Sequence, residues 1–164
     1  MKRWSLPTRA DTGRFGDALG RRLCGGETIA LVGDLGAGKT TLARAIARGL
    51  GIQSPVSSPT FGIVHEYPGP IPLIHFDPYR LNRAEDLLEI GYDEYFERGG
   101  VVLIEWADKF PELLPEDYLM LRLEIDLNAE GDANAEDVPR TLQAEAAGPT
   151  SGALVTDLIA AFPG

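Results

Sequence analysis

The feature that most constrains the fold of this 164-residue chain is the stretch GDLGAGKT at residues 33–40. It fits G-x-x-x-x-G-K-[ST], the phosphate-binding P-loop, which needs a strand before it and a helix after it. The apolar run TIALV at residues 28–32 is typical of a buried strand. Residues 41–50 place apolar side chains at helical spacing. This context favours a phosphate site over a glycine-rich turn that happens to precede a helix.

The residue types of the loop explain how it would hold an anion. Glycines 33, 36 and 38 allow the backbone to approach phosphate oxygens without steric clash. The N–H groups of the loop and of the following helix would face the anion. Lys39 would place its charge on the β- and γ-phosphates, and Thr40 would offer a hydroxyl to Mg²⁺. The predicted binding residues are Asp34, Leu35, Gly36, Ala37, Gly38, Lys39, Thr40 and Thr41.

The net charge of the chain is −10 and is unevenly distributed. Residues 1–50 hold nine basic and four acidic residues, a net charge of +5, whereas residues 51–164 hold six and 21, a net charge of −15. Binding to nucleic acid depends on basic residues that neutralise its phosphates. An acidic chain such as this one is therefore a poor candidate for binding nucleic acid without a partner protein. The basic N-terminal third is either a solvated surface or a face for an acidic partner or a phosphate.

Length and composition predict one domain over residues 1–164, in the cytoplasm and without a membrane-spanning segment. There is no run of 18 apolar residues, and the N-terminus lacks the apolar core of a signal peptide. The single cysteine, Cys24, cannot form an internal disulfide, which suits a reducing compartment. We expect it to be a small buried residue.

Apolar periodicity and turn residues predict a regular alternation of strands and helices. We expect helices over residues 11–23, 84–90, 93–98 and 151–162, and strands over residues 61–67, 73–77, 101–106, 118–127 and 139–147. Residues 128–137 are polar and acidic, which indicates a mobile surface loop. The predicted fold is a P-loop NTPase-like α/β class with a mixed, mostly parallel sheet in a three-layer α/β/α arrangement.

Two acids that follow apolar strands are candidates for catalysis. Glu105 follows VVLI and Asp77 follows LIHF. Ligands of open α/β sheets gather at the carboxyl ends of strands, where an acid can reach a Mg²⁺ beside Thr40. The alternatives are an ordinary solvated strand end for Glu105 and a turn-starting residue for Asp77, which precedes a proline.

Other polar residues carry weaker signals. The segment SSPTF at residues 57–61 has hydroxyls that can act as a nucleotide-sensing switch, although its composition is also that of an ordinary loop. Trp106 is either core or an aromatic wall of the site. His65 and His75 lie on predicted strands and are expected to be structural. No cysteine and histidine spacing indicates zinc.

Taken together, the segments GDLGAGKTT, SPTF, HFDPYRL, EIGYDEYF and VVLIEW resemble the bacterial TsaE (YjeE) family of small P-loop ATPases, from about residue 6 to residue 126. The resemblance implies that ATP or ADP binds at Lys39 and its loop, with Thr40 and Glu105 as ligands of Mg²⁺. It implies that Asp77 helps to activate or position water and that Thr60 is a switch-like sensor. It also implies that Trp106 lines the site and that residues 6–12 lie near the adenine.

The same resemblance implies a pathway and a partner. The family supports formation of the threonylcarbamoyl group on the tRNA adenosine beside the anticodon, with the TsaD–TsaB pair as transferase. The ATPase would reset that pair between turnovers, so its own contact with tRNA would be indirect or weak. One departure is visible: Pro78 stands where the family usually has leucine, which bears on how Asp77 is presented.

Two other functions remain open. A small-molecule P-loop kinase has a similar size but usually carries arginines on a lid, and we expect no arginine cluster, because only six basic residues follow residue 50. A nucleotide-gated binding module with little hydrolysis is the third possibility. The two strand-end acids favour hydrolysis over this module.

Overall fold

The computed structural model describes residues 1–57, 62–127 and 137–163. The strands are β1 (Lys2–Leu6), β2 (Thr28–Val32), β3 (Val64–Tyr67), β4 (Leu73–Phe76), β5 (Val101–Glu105), β6 (Leu119–Ile125) and β7 (Arg140–Ala146). The helices are α1 (Arg9–Gly20), α2 (Lys39–Gly49), α3 (Ala84–Glu89), α4 (Tyr92–Tyr95) and α5 (Pro149–Ala161). Short 3₁₀ turns occupy Phe96–Arg98, Ala107–Lys109 and Pro111–Leu113.

The seven strands found in these ranges form one mixed sheet in the order β1-β7-β6-β2-β5-β4-β3. Its centre is parallel, because β2 pairs with β5 and β6, and β5 pairs with β4, in parallel register. Its flanks are antiparallel, through the pairs β1–β7, β6–β7 and β3–β4. The central β2 and β5 are buried along their whole length, which explains their near-continuous apolar sequences.

Helices cover both faces of the sheet, which confirms the predicted fold class. On one face, α1, α2 and α5 pack on the strands through side chains such as Phe15, Leu42 and Leu158. On the other face, Leu87 of α3 and Tyr92 of α4 pack on the remaining strand side chains. None of the helices within the described ranges is both long and apolar enough to cross a lipid bilayer.

Two local features fix the helices beside the P-loop. The hydroxyl of Thr8 accepts the backbone N–H of Asp11, and the Asp11 carboxylate accepts the backbone N–H of Thr8, which caps the start of α1. Glycines let α1 and α2 approach closely: a Cβ at Gly20 would lie 2.2 Å from the carbonyl oxygen of Ile46. This close contact holds α2, and with it the end of the P-loop, against α1.

The structure corrects three expectations. It contains an N-terminal strand, β1, that the sequence did not predict, and its partner is β7. Cys24 is exposed rather than buried, because α1 ends at Gly20 and Cys24 lies in the connection that follows. The strand predicted over residues 61–67 begins only at Val64. Residues 128–136 of the predicted acidic loop lie outside the described residues.

Candidate functional site

The carboxyl ends of β2, β4 and β5 open onto one cavity of about 690 Å³. Three residues placed there by strand ends, Asp77, Glu105 and Trp106, line it. Most of the predicted loop residues line it too: Leu35, Gly36, Gly38, Lys39, Thr40 and Thr41. The sheet thus brings together the P-loop, Asp77 and Glu105, which lie far apart in the chain, at the edge where ligands of open α/β sheets bind.

The loop at residues 33–40 leads from β2 directly into α2. Gly38 precedes the first turn of α2 with φ of +106°, a backbone conformation that side-chain-bearing residues rarely adopt. Among the described residues, no side chain caps this helix end. The first N–H groups of α2 therefore remain available to an anion in the cavity.

Lys39 is buried at the floor of the cavity, with 7% of its surface exposed. Its Nζ donates to the carbonyl oxygens of Gly33 at 2.6 Å and Asp34 at 2.9 Å. It also lies 3.9 Å from the centre of the Trp106 ring. Burial lowers the pKa of Lys39, and the nearby carboxylates, Glu105 first, oppose that shift. These carbonyl and ring contacts hold the ammonium group of Lys39 at the floor of the cavity.

Glu105 closes β5 with only 2% of its surface exposed. Its Oε2 lies 3.2 Å from Nε2 of His75, which is fully buried on β4. A buried carboxylate needs such a partner, because loss of hydration otherwise disfavours its charge. Sequence reasoning assigned His75 only a structural role, whereas the structure places it against the strand-end acid Glu105.

Asp77 follows β4 and is half-buried at the cavity edge. Its backbone N–H donates to the carbonyl of Ile63 at 2.9 Å, and its Oδ1 accepts the backbone N–H of Tyr79 at 3.1 Å. Pro78 is buried and its carbonyl accepts the N–H of Leu81 at 3.0 Å. The proline therefore begins a turn, and Asp77 still faces the cavity.

Trp106 forms an aromatic wall, so it is not simply a core residue. Among the non-glycine residues in the described ranges it alone has a positive φ, 55°. The ring of Tyr79, which is half exposed, lies 4.9 Å from it at 36°. Strained backbone of this kind concentrates at functional sites, where the surrounding packing imposes it.

Three arginines line the cavity, contrary to our expectation of no arginine cluster. They are Arg9 from α1, Arg80 from the turn after β4, and Arg140 from β7. Nε of Arg140 donates to the carbonyl of Ala37 in the P-loop at 2.7 Å. Arg80 lies in the segment HFDPYRL and Arg9 within residues 6–12, whereas no local motif marks Arg140, which reaches the cavity through the pairing of β7 with β6.

Some predicted site residues contribute differently or cannot be placed. Ala37 is buried, with its carbonyl bound by Arg140, and Asp34 acts through its carbonyl on Lys39, so neither lines the cavity. The side chain of Leu35 is 81% exposed at the rim. Thr60 lies outside the described residues.

The residues present fit a nucleotide and a divalent cation. Thr12 lines the cavity with 1% of its surface exposed, and its Oγ1 has no hydrogen-bond partner in the described ranges. A buried hydroxyl of this kind is satisfied when a polar ligand group binds beside it. Thr40 and Glu105 offer the hard oxygen donors that Mg²⁺ prefers. Within the same ranges no three His, Cys, Asp or Glu side chains form a metal cluster.

Comparison with known proteins gives a consistent result. The family model described as threonylcarbamoyl adenosine biosynthesis protein TsaE matches residues 6–135. The TsaE protein of Bacillus subtilis is 48% identical over 113 residues, 68% of this chain and 67% of the relative. The TsaE protein of Nostoc is 39% identical over 144 residues, 85% of this chain and 86% of the relative. A crystal structure of YdiB from Bacillus subtilis superimposes with a TM-score of 0.79 and 32% identity, over 98% of this chain and 95% of the other.

Proposed function

The chain belongs to the TsaE family of tRNA threonylcarbamoyladenosine biosynthesis proteins, and we propose that it is a Mg²⁺-dependent ATPase of that pathway. Its substrate would be ATP and its product ADP. The activity would be weak in the isolated chain and would rise when the TsaD–TsaB pair binds. In this proposal hydrolysis resets that pair between rounds of threonylcarbamoyl transfer to the adenosine beside the anticodon.

The observation that carries the proposal is the convergence of four side chains on one cavity. Lys39 and Thr40 come from the P-loop, Asp77 from the end of β4, and Glu105 from the end of β5. A P-loop alone binds phosphate, whereas hydrolysis also needs a metal ligand and a group that orients water. All three requirements have a candidate on the walls of the same cavity.

Each residue has a distinct role in this scheme. Lys39 and the loop N–H groups bind the phosphates, and the hydroxyl of Thr40 and the carboxylate of Glu105 hold the cation. Mg²⁺, when bound, would neutralise charge on the phosphate oxygens. Asp77 orients the attacking water or accepts its proton. Thr60, by resemblance to the family, senses the nucleotide.

The charge of the chain supports a protein partner rather than direct capture of tRNA. Residues 51–164 carry six basic and 21 acidic residues, so phosphate neutralisation over that surface is unfavourable. An ATPase that acts on a protein complex does not need to hold the tRNA itself. We therefore propose that the contact of this chain with tRNA is indirect or weak and that the partner complex holds the tRNA.

The experiment that tests the proposal is ATP hydrolysis by the purified chain, alone and with purified TsaD–TsaB added. Low activity that rises with the pair and requires Mg²⁺ is the expected result. High activity in the isolated chain would contradict the partner-stimulated scheme. ATP binding with no hydrolysis under either condition would instead favour a nucleotide-gated binding module.

A small-molecule kinase is the alternative that one observation favours. Arg9, Arg80 and Arg140 line the cavity, and phosphoryl-transfer enzymes use arginine to stabilise the charge of the transferring group. The fate of the γ-phosphate separates the two functions. Release as inorganic phosphate in the absence of any small-molecule acceptor supports the ATPase, whereas a strict requirement for such an acceptor supports the kinase.

A further inference from the structure

His75 and Glu105 form a pair that is removed from solvent on two neighbouring parallel strands. His75 has no exposed surface and Glu105 has 2%. His75 of β4 lies opposite Leu103 of β5. Glu105 follows Leu103 by two residues, so its side chain lies on the same face of the sheet as His75. Nε2 of His75 is 3.2 Å from Oε2 of Glu105. This contact joins the strand that ends before Asp77 to the acid that closes β5.

The direction of the hydrogen bond follows from the chemistry of the two groups. An ionised carboxylate only accepts hydrogen bonds, so Nε2 of His75 carries the proton and donates it to Oε2. The other ring nitrogen, Nδ1, is then an acceptor, and it has no hydrogen-bond partner in the described ranges. A buried polar atom without a partner is unfavourable, and an apolar side chain at residue 75 would avoid that cost. The Nε2 bond to Glu105 is thus the contact that distinguishes histidine from an apolar residue here.

We propose that His75 is a positioning residue that fixes one carboxylate oxygen of Glu105, so that the carboxylate is oriented as a ligand of Mg²⁺ beside Thr40. The inference rests on the proposed function, since it concerns the same cation. Partners that orient a metal ligand in this way affect metal affinity strongly although they never touch the metal. His75 itself does not line the cavity, so it would act through Glu105 alone.

Three substitutions separate this role from simple packing. His75→Gln keeps an amide N–H donor near the position of Nε2, and His75→Asn carries the same amide one bond closer to the backbone, out of reach of Glu105. His75→Met keeps most of the volume without any donor. The readout is the dissociation constant of a non-hydrolysable ATP analogue, measured with Mg²⁺ and with EDTA.

We expect the gain in affinity on adding Mg²⁺ to fall by about 10- to 100-fold in the Asn and Met variants, as for other partners of metal ligands. The Gln variant should keep most of that gain, and the affinity in EDTA should be unchanged in all three. Equal Mg²⁺ dependence in the wild type and in folded Asn and Met variants would overturn the inference while leaving the ATPase proposal intact. A wild type that binds the analogue without any Mg²⁺ dependence would overturn both.

A measurement on the wild-type chain covers the case in which the variants do not fold. The chain has two histidines, His65 and His75, so spectra of ¹⁵N-histidine-labelled protein are simple to assign. The Nε2 signal of His75 should shift when Mg²⁺ and the analogue are both added, and not when the analogue is added with EDTA. If the Nε2 signal of His75 is the same with Mg²⁺ as with EDTA, then His75 has a purely structural role, and the inference is overturned.

Discussion

Lys39 is buried, and its pKa reflects a balance of two opposing effects. Burial lowers the pKa of Lys39, whereas the carboxylates of Glu105, Asp77 and two further acids favour its charged form. Hydrogen bonds to charged groups contribute about 1.5–3 kcal/mol each, and Lys39 would make more than one to bound phosphates. Lys39→Ala should therefore weaken ATP binding by at least about 100-fold in equilibrium titrations.

A matched control for that substitution is Lys2→Ala, on the outermost strand. Lys2 donates to the carbonyl of Pro163 at 3.1 Å and does not line the cavity. Its loss should leave ATP affinity unchanged. ATP affinity retained in Lys39→Ala would contradict the assignment of residues 33–40 as the phosphate site.

Asp77 can be tested for chemistry separately from structure. In Asp77→Asn the amide oxygen can still accept the N–H of Tyr79, which Oδ1 accepts now, so the turn should persist. The lost charge should lower single-turnover hydrolysis by about 100-fold or more, the usual contribution of a general base, with little change in ATP affinity. Asp108→Asn is a suitable control, because Asp108 also raises the pKa of Lys39 but does not line the cavity. Turnover at the wild-type rate in Asp77→Asn would leave Asp77 with only its turn-forming role.

The contact between α1 and α2 depends on the absence of side chains. A Cβ at Gly20 would lie 2.2 Å from the Ile46 carbonyl oxygen, which only backbone movement can relieve. Gly20→Ala should destabilise the chain by about 1–3 kcal/mol, as overpacking does, measured as a lower urea midpoint. Gly152→Ala in α5 is the control, because no atom of the described residues outside the local helix backbone lies within 4 Å of its added Cβ. Alanine is the better helix former, so this control should be stabilised by about 0.5–1 kcal/mol.

Helix α5 is anchored by Asp117, which lies before β6. The backbone N–H groups of Thr150 and Ser151 donate to its carboxylate at 2.7 Å and 3.0 Å. The nearby Ser151 side chain and these N–H groups lower the pKa of Asp117 to about 2. The folded-state pKa is below the unfolded value, so this stabilisation is complete above about pH 4 and is lost as pH falls towards 2. The urea midpoint of the wild type should therefore fall over that range, and the fall should be smaller in Asp117→Asn. Identical profiles would contradict the anchor.

The strands and helices that could be predicted are those marked by a pattern within their own few residues or within the residues that flank them. Strand β2 and helix α2 flank a glycine-rich loop whose spacing is itself diagnostic, and β5 is a continuous apolar run. Strand β1 has no such signal: Lys2–Leu6 is basic and short, with only Trp4 and Leu6 buried. Its stability as a strand comes from pairing with β7, more than 130 residues away in the chain. A pairing over that distance leaves no trace in local composition.

The same distinction between local and distant signals holds for the cavity. Lys39, Thr40, Asp77 and Glu105 were predictable, because a motif or a strand end marks each of them. Thr12 was expected near the adenine only through the family resemblance of residues 6–12, and Arg140 was not predicted, since these residues reach the cavity only when α1 packs on α2 and β7 pairs with β6. Part of the cavity wall is thus a property of the assembled molecule, and it includes a residue beyond the region 6–135 that the family model matches.

This dependence on distant elements predicts how the chain responds to shortening. Strand β7 pairs with both β1 and β6, and Arg140 binds the Ala37 carbonyl of the P-loop. A chain ending at residue 137 would leave β1 and one edge of β6 without their partner strand and would remove the buried side chain of Leu142 from the core. We expect it to lose cooperative urea unfolding and ATP binding together.

A chain ending at residue 147 is the informative comparison, because it keeps all seven strands and Arg140 but lacks α5. The loss of Leu154 and Leu158 from the core should lower its free energy of unfolding, since core truncations cost about 2–5 kcal/mol per large side chain. Under conditions in which it remains folded, its ATP affinity should match that of the full chain, because α5 contributes no residue to the cavity. Normal ATP affinity in the chain ending at 137 would show that β7 is dispensable for the site.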